Sequence, residues 1–415
     1  MPAAADKLLA AVTQQYLTSG DFNGLPLYDP KCAAEPKEMR SLVSAGLIDV
    51  VRGDFHPNPH IKALPAEDVA VQLAKIDELG FAGCLYPTRE HLRTVVRRAS
   101  YPRRPFAYAM AMGMAQLEFW SFDIRAMEWY RNDPRFDVSI DDISFRITIK
   151  DEYAATMAAD DRDNISIDRA GFCYDSEGHR SLAVFARDLA RKPSHHQIRW
   201  QQFALDGSFR LQEDFFVSSV LGDWPRGISV FGAFLEERKT VSAHLEKQGK
   251  GKLFRSQYAS DDRPDRFGFI LRPTARELAD FDQTLDKILS DDIDPRFFEG
   301  LVETHEVVTS SDGKAKKLRH GTIKMMGDWL KNEYGSDPRA ASFVKMLKGA
   351  RERRQRPAHI IAPDNFDLAY VSEQRTLMRE AYEAMRGFRD LVQSVSGGPL
   401  AGQSSWLDEA IIRFD

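Results

Sequence analysis

Residues Arg351 to His359 read RERRQRPAH, and five of these nine side chains are basic when His359 is counted. An arginine and a histidine a few residues apart are the minimum equipment for cutting a phosphodiester without a metal. A histidine titrates near neutrality, so it can take the proton of a ribose 2′-hydroxyl or deliver one to the leaving oxygen. A guanidinium fork can hold the phosphate and stabilise charge in the transition state. Arg354 and His359 fit these two roles, with Gln355 and Arg356 placed to assist. The competing reading makes the arginines the cationic cap of a helix C-terminus and His359 a loop residue.

A helix has to position Arg354. Phe343, Leu347 and Ala350 fall at steps of four and three, and the next step of four lands on Arg354. Arg354 therefore shares the buried face, while Arg351, Arg353 and Arg356 spread around the helix. An arginine on a buried face needs an anionic partner or acceptors. A second seam, Leu377, Ala381, Ala384, Phe388 and Leu391, predicts a long helix over about 367–395. Two such seams can pack as an antiparallel pair, with His359 in the connection.

In this setting Arg354-Gln355-Arg356-Pro357-Ala358-His359 resembles the motif of HEPN-domain ribonucleases, an arginine and a histidine separated by four to six residues. The resemblance spans roughly residues 318–395. It implies a helical domain whose composite site forms across a homodimer. It also implies a metal-independent endoribonuclease that acts in phage defence or as a regulated toxin, beside a partner protein of a defence operon. No cofactor and no metal are expected.

A second basic region suits binding better than cleavage. Arg89, Arg93 and Arg97 are four apart, so they predict one basic stripe on a helix; Arg98, Arg103 and Arg104 follow, with Tyr101 and Phe106 among them. Arginines interleaved with aromatics fit the phosphate backbone of RNA or DNA. A solvated helix face paired with acids is the alternative.

Other constellations carry less. Arg191-Lys192-Pro193-Ser194-His195-His196 repeats the arginine–histidine spacing, but its flanks read partly as strand. Adjacent imidazoles could hold a metal, yet neighbours in sequence point apart and no third ligand follows, so a surface turn is expected. Glu237 and Lys239, with Asp223 upstream, superficially match a restriction-type nuclease. They sit in a helical segment, where they point apart. His56 and His60 flank a turn and read as solvent-facing. The acidic stretch 151–163 reads as solvated. GKGK at 249–252 lacks the preceding strand and full pattern of a phosphate-binding loop.

Composition bounds the rest. The chain has 415 residues, 43% hydrophobic and 29% charged, with a net charge of −5. No global basic field advertises nucleic acid, so any such surface must be local. The three cysteines, Cys32, Cys84 and Cys173, form no CxxC. That argues against a disulfide framework and a zinc knuckle, and fits a reducing cytoplasm. No window approaches the length of an apolar membrane span.

The expected fold is mixed and mainly helical, in three parts. Residues 1–65 read as helix, helix, a stop at Gly46, strand, turn and return strand, the order of a winged-helix-like unit. Residues 66–300 read as an α+β block of unknown role, including a long helix over 108–130. Residues 301–415 read as a hairpin plus a HEPN-like helical region. The leading function is the endoribonuclease; the alternative is a non-enzymatic nucleic-acid-binding or adaptor protein of a prokaryotic defence system.

Overall fold

Gly46 ends the second helix, as its place after an apolar run predicts. The helix Pro36–Ser44 gives way to Gly46 at φ 65°. The Gly46 and Leu47 amides donate to Val43 O and Leu42 O at 3.0 and 2.9 Å. A residue in the left-handed region closes the helix this way because it turns two amides back onto the last carbonyls, and glycine adopts that backbone without steric cost. The computed structural model describes residues 4–29, 32, 35–54, 56, 58–78, 82–156, 163, 165–224, 227–258, 262–264, 266–309, 315–355, 363–396 and 405–414.

The chain divides into two compact units, Met1–Pro225 and Arg226–Asp415, where the sequence suggested boundaries at 65 and 300. One reason lies in the first sheet. Its central strand is Gly83–Pro87, flanked antiparallel by Leu25–Pro26 and Ile48–Arg52. The return strand expected just after Arg52 is absent among the described residues of 53–65. The strand that pairs with Ile48–Arg52 arrives only after the helix Val69–Lys75. Helices Ala4–Thr18 and Pro36–Ser44 bury Leu8, Val12, Met39, Leu42 and Val43 in one cluster with Val50 and Leu85.

The second sheet of this unit is antiparallel. Its order is Phe119–Phe122, Arg180–Phe185, Ser166–Tyr174, Ser144–Ile149 and Phe136–Ile140, with Arg210–Leu211 also paired to Ser166–Tyr174. The long helix expected over 108–130 does not form. Helix Pro105–Ala111 stops before Gly113, whose φ is 83°. The chain then enters the sheet at Phe119–Phe122 and turns helical again only from Ile124, as a 3-10 segment Ile124–Met127 that leads into Glu128–Asn132. Aromatic packing accompanies the break: Phe106 meets Trp120 edge-on at 5.1 Å, and Phe122 meets Trp200 at 4.9 Å.

The second unit is helical, with a hairpin of His305–Thr309 and Ala315–Arg319 where the sequence placed two strands. Helices Val230–Lys247, Ala275–Asp286, Thr322–Tyr334, Pro338–Gln355 and Ala369–Ser396 contribute to one core. The seams behave as read. Phe343, Leu347 and Ala350 are buried, as are Leu377, Ala381, Phe388 and Leu391. Phe343 stacks on Phe388 at 4.5 Å, while Arg353 reaches Glu373 at the other end of the pair. The two helices therefore run antiparallel. Fully burying each phenylalanine is worth about 1.5–3 kcal/mol, which fixes the register that places the arginines. Among the described residues no helix is long and apolar enough to cross a membrane.

Candidate functional site

The last turns of Pro338–Gln355 hold three arginines against carboxylates on Ala275–Asp286, on the π-helical segment Lys287–Asp291 that continues it and, for Arg353, on Ala369–Ser396. Asp282 and Asp286 are four apart and Arg351 and Arg354 three apart, so each pair shares a helix face. Arg351 Nε donates to Asp286 at 3.0 Å and its Nη2 to Asp291 at 2.6 Å. Arg354 Nη1 donates to Asp286 Oδ2 at 2.9 Å and also to Asp291. Arg353 bonds Asp282 at 3.0 Å and Glu373 at 2.7 Å.

Asp286 is fully buried, and Arg354 is 31% exposed. The spacing argument foresaw an anionic partner for Arg354, but it does not set Arg354 apart: Arg353, expected to point outward, is 20% exposed, and Arg351, at 32%, meets the same Asp286. The hydrogen bonds of Arg354 to Asp286 and Asp291 hold its guanidinium above its ordinary range. For Arg353, burial works the other way and the bonds to Asp282 and Glu373 outweigh it. Chemically, Arg354 is a carboxylate-bound cation, and gripping a phosphate would require exchanging those partners. Gln355 is exposed. Arg356 and His359 lie outside the described residues.

The basic strip of the first unit is organised differently. Thr88 caps its helix, accepting from the His91 amide at 3.2 Å, but the helix ends at Val95. Arg97 is extended, so it leaves the stripe that Arg89 and Arg93 share. Arg89, Arg93, Arg97, Arg98, Arg103 and Arg104 are all exposed. Arg89 pairs with Glu118 at 3.3 Å, Arg93 with Glu90 at 3.5 Å, and Arg104 donates to Ala190 O at 3.3 Å.

Arg97, Arg98 and Arg103 have no carboxylate within ion-pair distance among the described residues. Arg98 lies over the Tyr108 ring at 4.6 Å, and Tyr108 faces Tyr101 at 6.1 Å. Arg103 takes φ 56°, a backbone that a non-glycine residue rarely adopts. Phe106, read as part of this aromatic set, is instead buried in the core.

The histidines depart furthest from expectation. Arg191–His196 joins two helices, Ala186–Ala190 and Ser194–Gln201, rather than strand-like flanks. His195 and His196 converge, with ring centroids 4.1 Å apart, and a third donor is present. Asp163 Oδ1 lies 3.2 Å from His195 Nε2 and 3.8 Å from His196 Nε2. His56, expected to face solvent, is buried and donates from Nε2 to Val220 O at 2.9 Å.

The nuclease reading of Glu237 fails as expected. Val230–Lys247 is a helix; Glu237 is buried beside Arg389 at 3.1 Å, while Lys239 faces out. Burial pushes the thiols of Cys84 and Cys173 up to about 12, so neither is poised as a nucleophile. No protein-family model matches the chain, and no curated protein or solved structure matches it.

Proposed function

We propose that the chain binds nucleic acid through the exposed segment 97–104. One observation carries this reading: Arg97, Arg98 and Arg103 are exposed cations without a carboxylate partner among the described residues, set beside Tyr101 and Tyr108. Unspent guanidinium charge displaces counterions from a phosphate backbone, and tyrosine rings offer stacking faces for bases. The sheet order with Gly83–Pro87 between the other two strands, under two helices, supports the winged-helix-like reading of the start of the chain. A fluorescence-anisotropy titration with labelled single-stranded RNA and duplex DNA tests it. Saturable binding that weakens steeply with salt is expected, and it should be weaker and less salt-dependent when Arg97, Arg98 and Arg103 are changed together to Gln. Binding unchanged in that variant would remove the reading.

A second reading keeps the HEPN-type endoribonuclease, working in phage defence or as a regulated toxin, as a homodimer with or without a partner protein. The antiparallel packing of the two expected seams supports it, with Arg354 at the end of the first helix and His359 five residues further on in the sequence. In this reading Arg354 holds the scissile phosphate, His359 moves the proton, and Gln355 or Arg356 assists. Growth and total RNA are followed in cells expressing the wild type, Arg354→Ala and His359→Ala. RNA cleavage and toxicity lost in both variants is the expected result. Equal behaviour of three folded proteins would leave the binding reading alone.

A further inference from the structure

We propose that Asp163, His195 and His196 form a binding site for a divalent transition-metal ion of the zinc class. The site is independent of the arginine segment discussed above. Its donor set is two imidazole nitrogens and one carboxylate oxygen, which suits such ions. Bonds of this class run near 2.0–2.2 Å, so tetrahedral neighbours stand about 3.3 Å apart. The separations of 3.2 and 3.8 Å from Asp163 Oδ1 to the two Nε2 atoms bracket that spacing, and all three donor atoms lie within 4.8 Å of one another.

The surroundings fix the donors. His195 and His196 occupy the first turn of Ser194–Gln201, and their rings come together there with centroids 4.1 Å apart. Asp163 is split between two tasks. Oδ1 faces both imidazoles, while Oδ2 takes Arg135 Nη2 at 3.1 Å, and Arg135 is itself held by Asp133 at 2.7 Å.

Behind the pair, His196 is fully buried, and its Nδ1 lies 2.8 Å from the Tyr130 hydroxyl. That oxygen accepts the Trp200 indole proton at 3.0 Å. With a metal on Nε2, His196 carries its proton on Nδ1 and donates it to Tyr130, the outer-shell arrangement that orients metal-bound histidines. His195 and Asp163 keep 27% and 17% exposure, so an ion can enter and a fourth position stays open to water or another small ligand. Arg135 and the helix N-terminus both add positive potential, which favours weak or moderate affinity over the tight hold of a closed structural site.

The test titrates the purified full-length chain with Co²⁺, reading visible d–d absorption, and then displaces the Co²⁺ with Zn²⁺. The expected result is one saturable equivalent, bleached by Zn²⁺ and lost in both Asp163→Asn and His195→Gln. Thermal unfolding of each variant serves as the fold control. Tyr130→Phe, which keeps ring volume and removes the acceptor, should weaken binding about tenfold. Absence of saturable binding by the wild type, or binding that survives in both ligand variants, would overturn the proposal.

Discussion

The two arginine clusters look alike in sequence and differ in what surrounds them. Arg351, Arg353 and Arg354 each meet carboxylates, supplied by Asp282, Asp286, Asp291 and Glu373. Arg97, Arg98 and Arg103 meet none among the described residues. Arginine density alone therefore says little about a binding surface. What decides is whether facing elements carry acids at matching helical spacing. In the second unit, Asp282 and Asp286 do so one turn apart. A third arrangement lies in that unit as well: Arg389 alone is shared by Glu237, Asp390 and Asp408.

The largest effect should come from breaking the carboxylate-paired cluster. Asp286→Ala removes a fully buried carboxylate that serves two arginines, and should cost about 3 kcal/mol in urea unfolding. A loss below about 1 kcal/mol would show that the network is loose and that Arg354 is free to meet a phosphate. Next comes the surplus cluster. Changing Arg97, Arg98 and Arg103 to Gln should lower the salt slope of nucleic-acid binding by about 2–3. Stability should move by no more than about 0.5 kcal/mol. The opposite pattern, lost stability with unchanged affinity, would erase the contrast between the clusters.

The acid-rich site predicts a pH response. Burial pushes Glu237 up to about 7, against the pull of Arg389. The folded chain then holds a proton that the unfolded chain releases near the ordinary carboxyl range. This contribution to stability is complete at low pH and is lost as pH rises toward and through about 7, on the order of 3 kcal/mol in all. Glu237→Gln should flatten that part of a stability-versus-pH curve. The smallest effect belongs to Arg93→Gln: its exposed pair with Glu90 should be worth under about 0.5 kcal/mol.

Local patterns were legible and distant partners were not. The seams at Phe343–Arg354 and Leu377–Leu391 repeat at helical period within one window, so the sequence shows them directly. Gly46 as a stop and the strands of the hairpin are equally local signals. The helix expected over 108–130 rested on Met110, Met114, Leu117 and Phe122, whose spacing matches a helix although Gly113 turns left-handed between them. The partner strand of Ile48–Arg52 lies beyond an intervening helix, and no local window contains that pairing. Asp163 precedes His195 by 32 residues, so a search for ligands following the histidines could not find it. Nor does spacing reveal Asp286 and Asp291, which approach Arg354 from another helix and its π-helical continuation.

Arg103 sits in a left-handed backbone, a conformation that costs a non-glycine residue on the order of 1 kcal/mol. Asparagine tolerates that region better, so Arg103→Asn should relax the turn and raise thermal stability slightly while deleting a cation. Stability and affinity would then move in opposite directions from one substitution. At this position the molecule stands at a compromise, keeping a strained turn where an easier residue would forfeit charge.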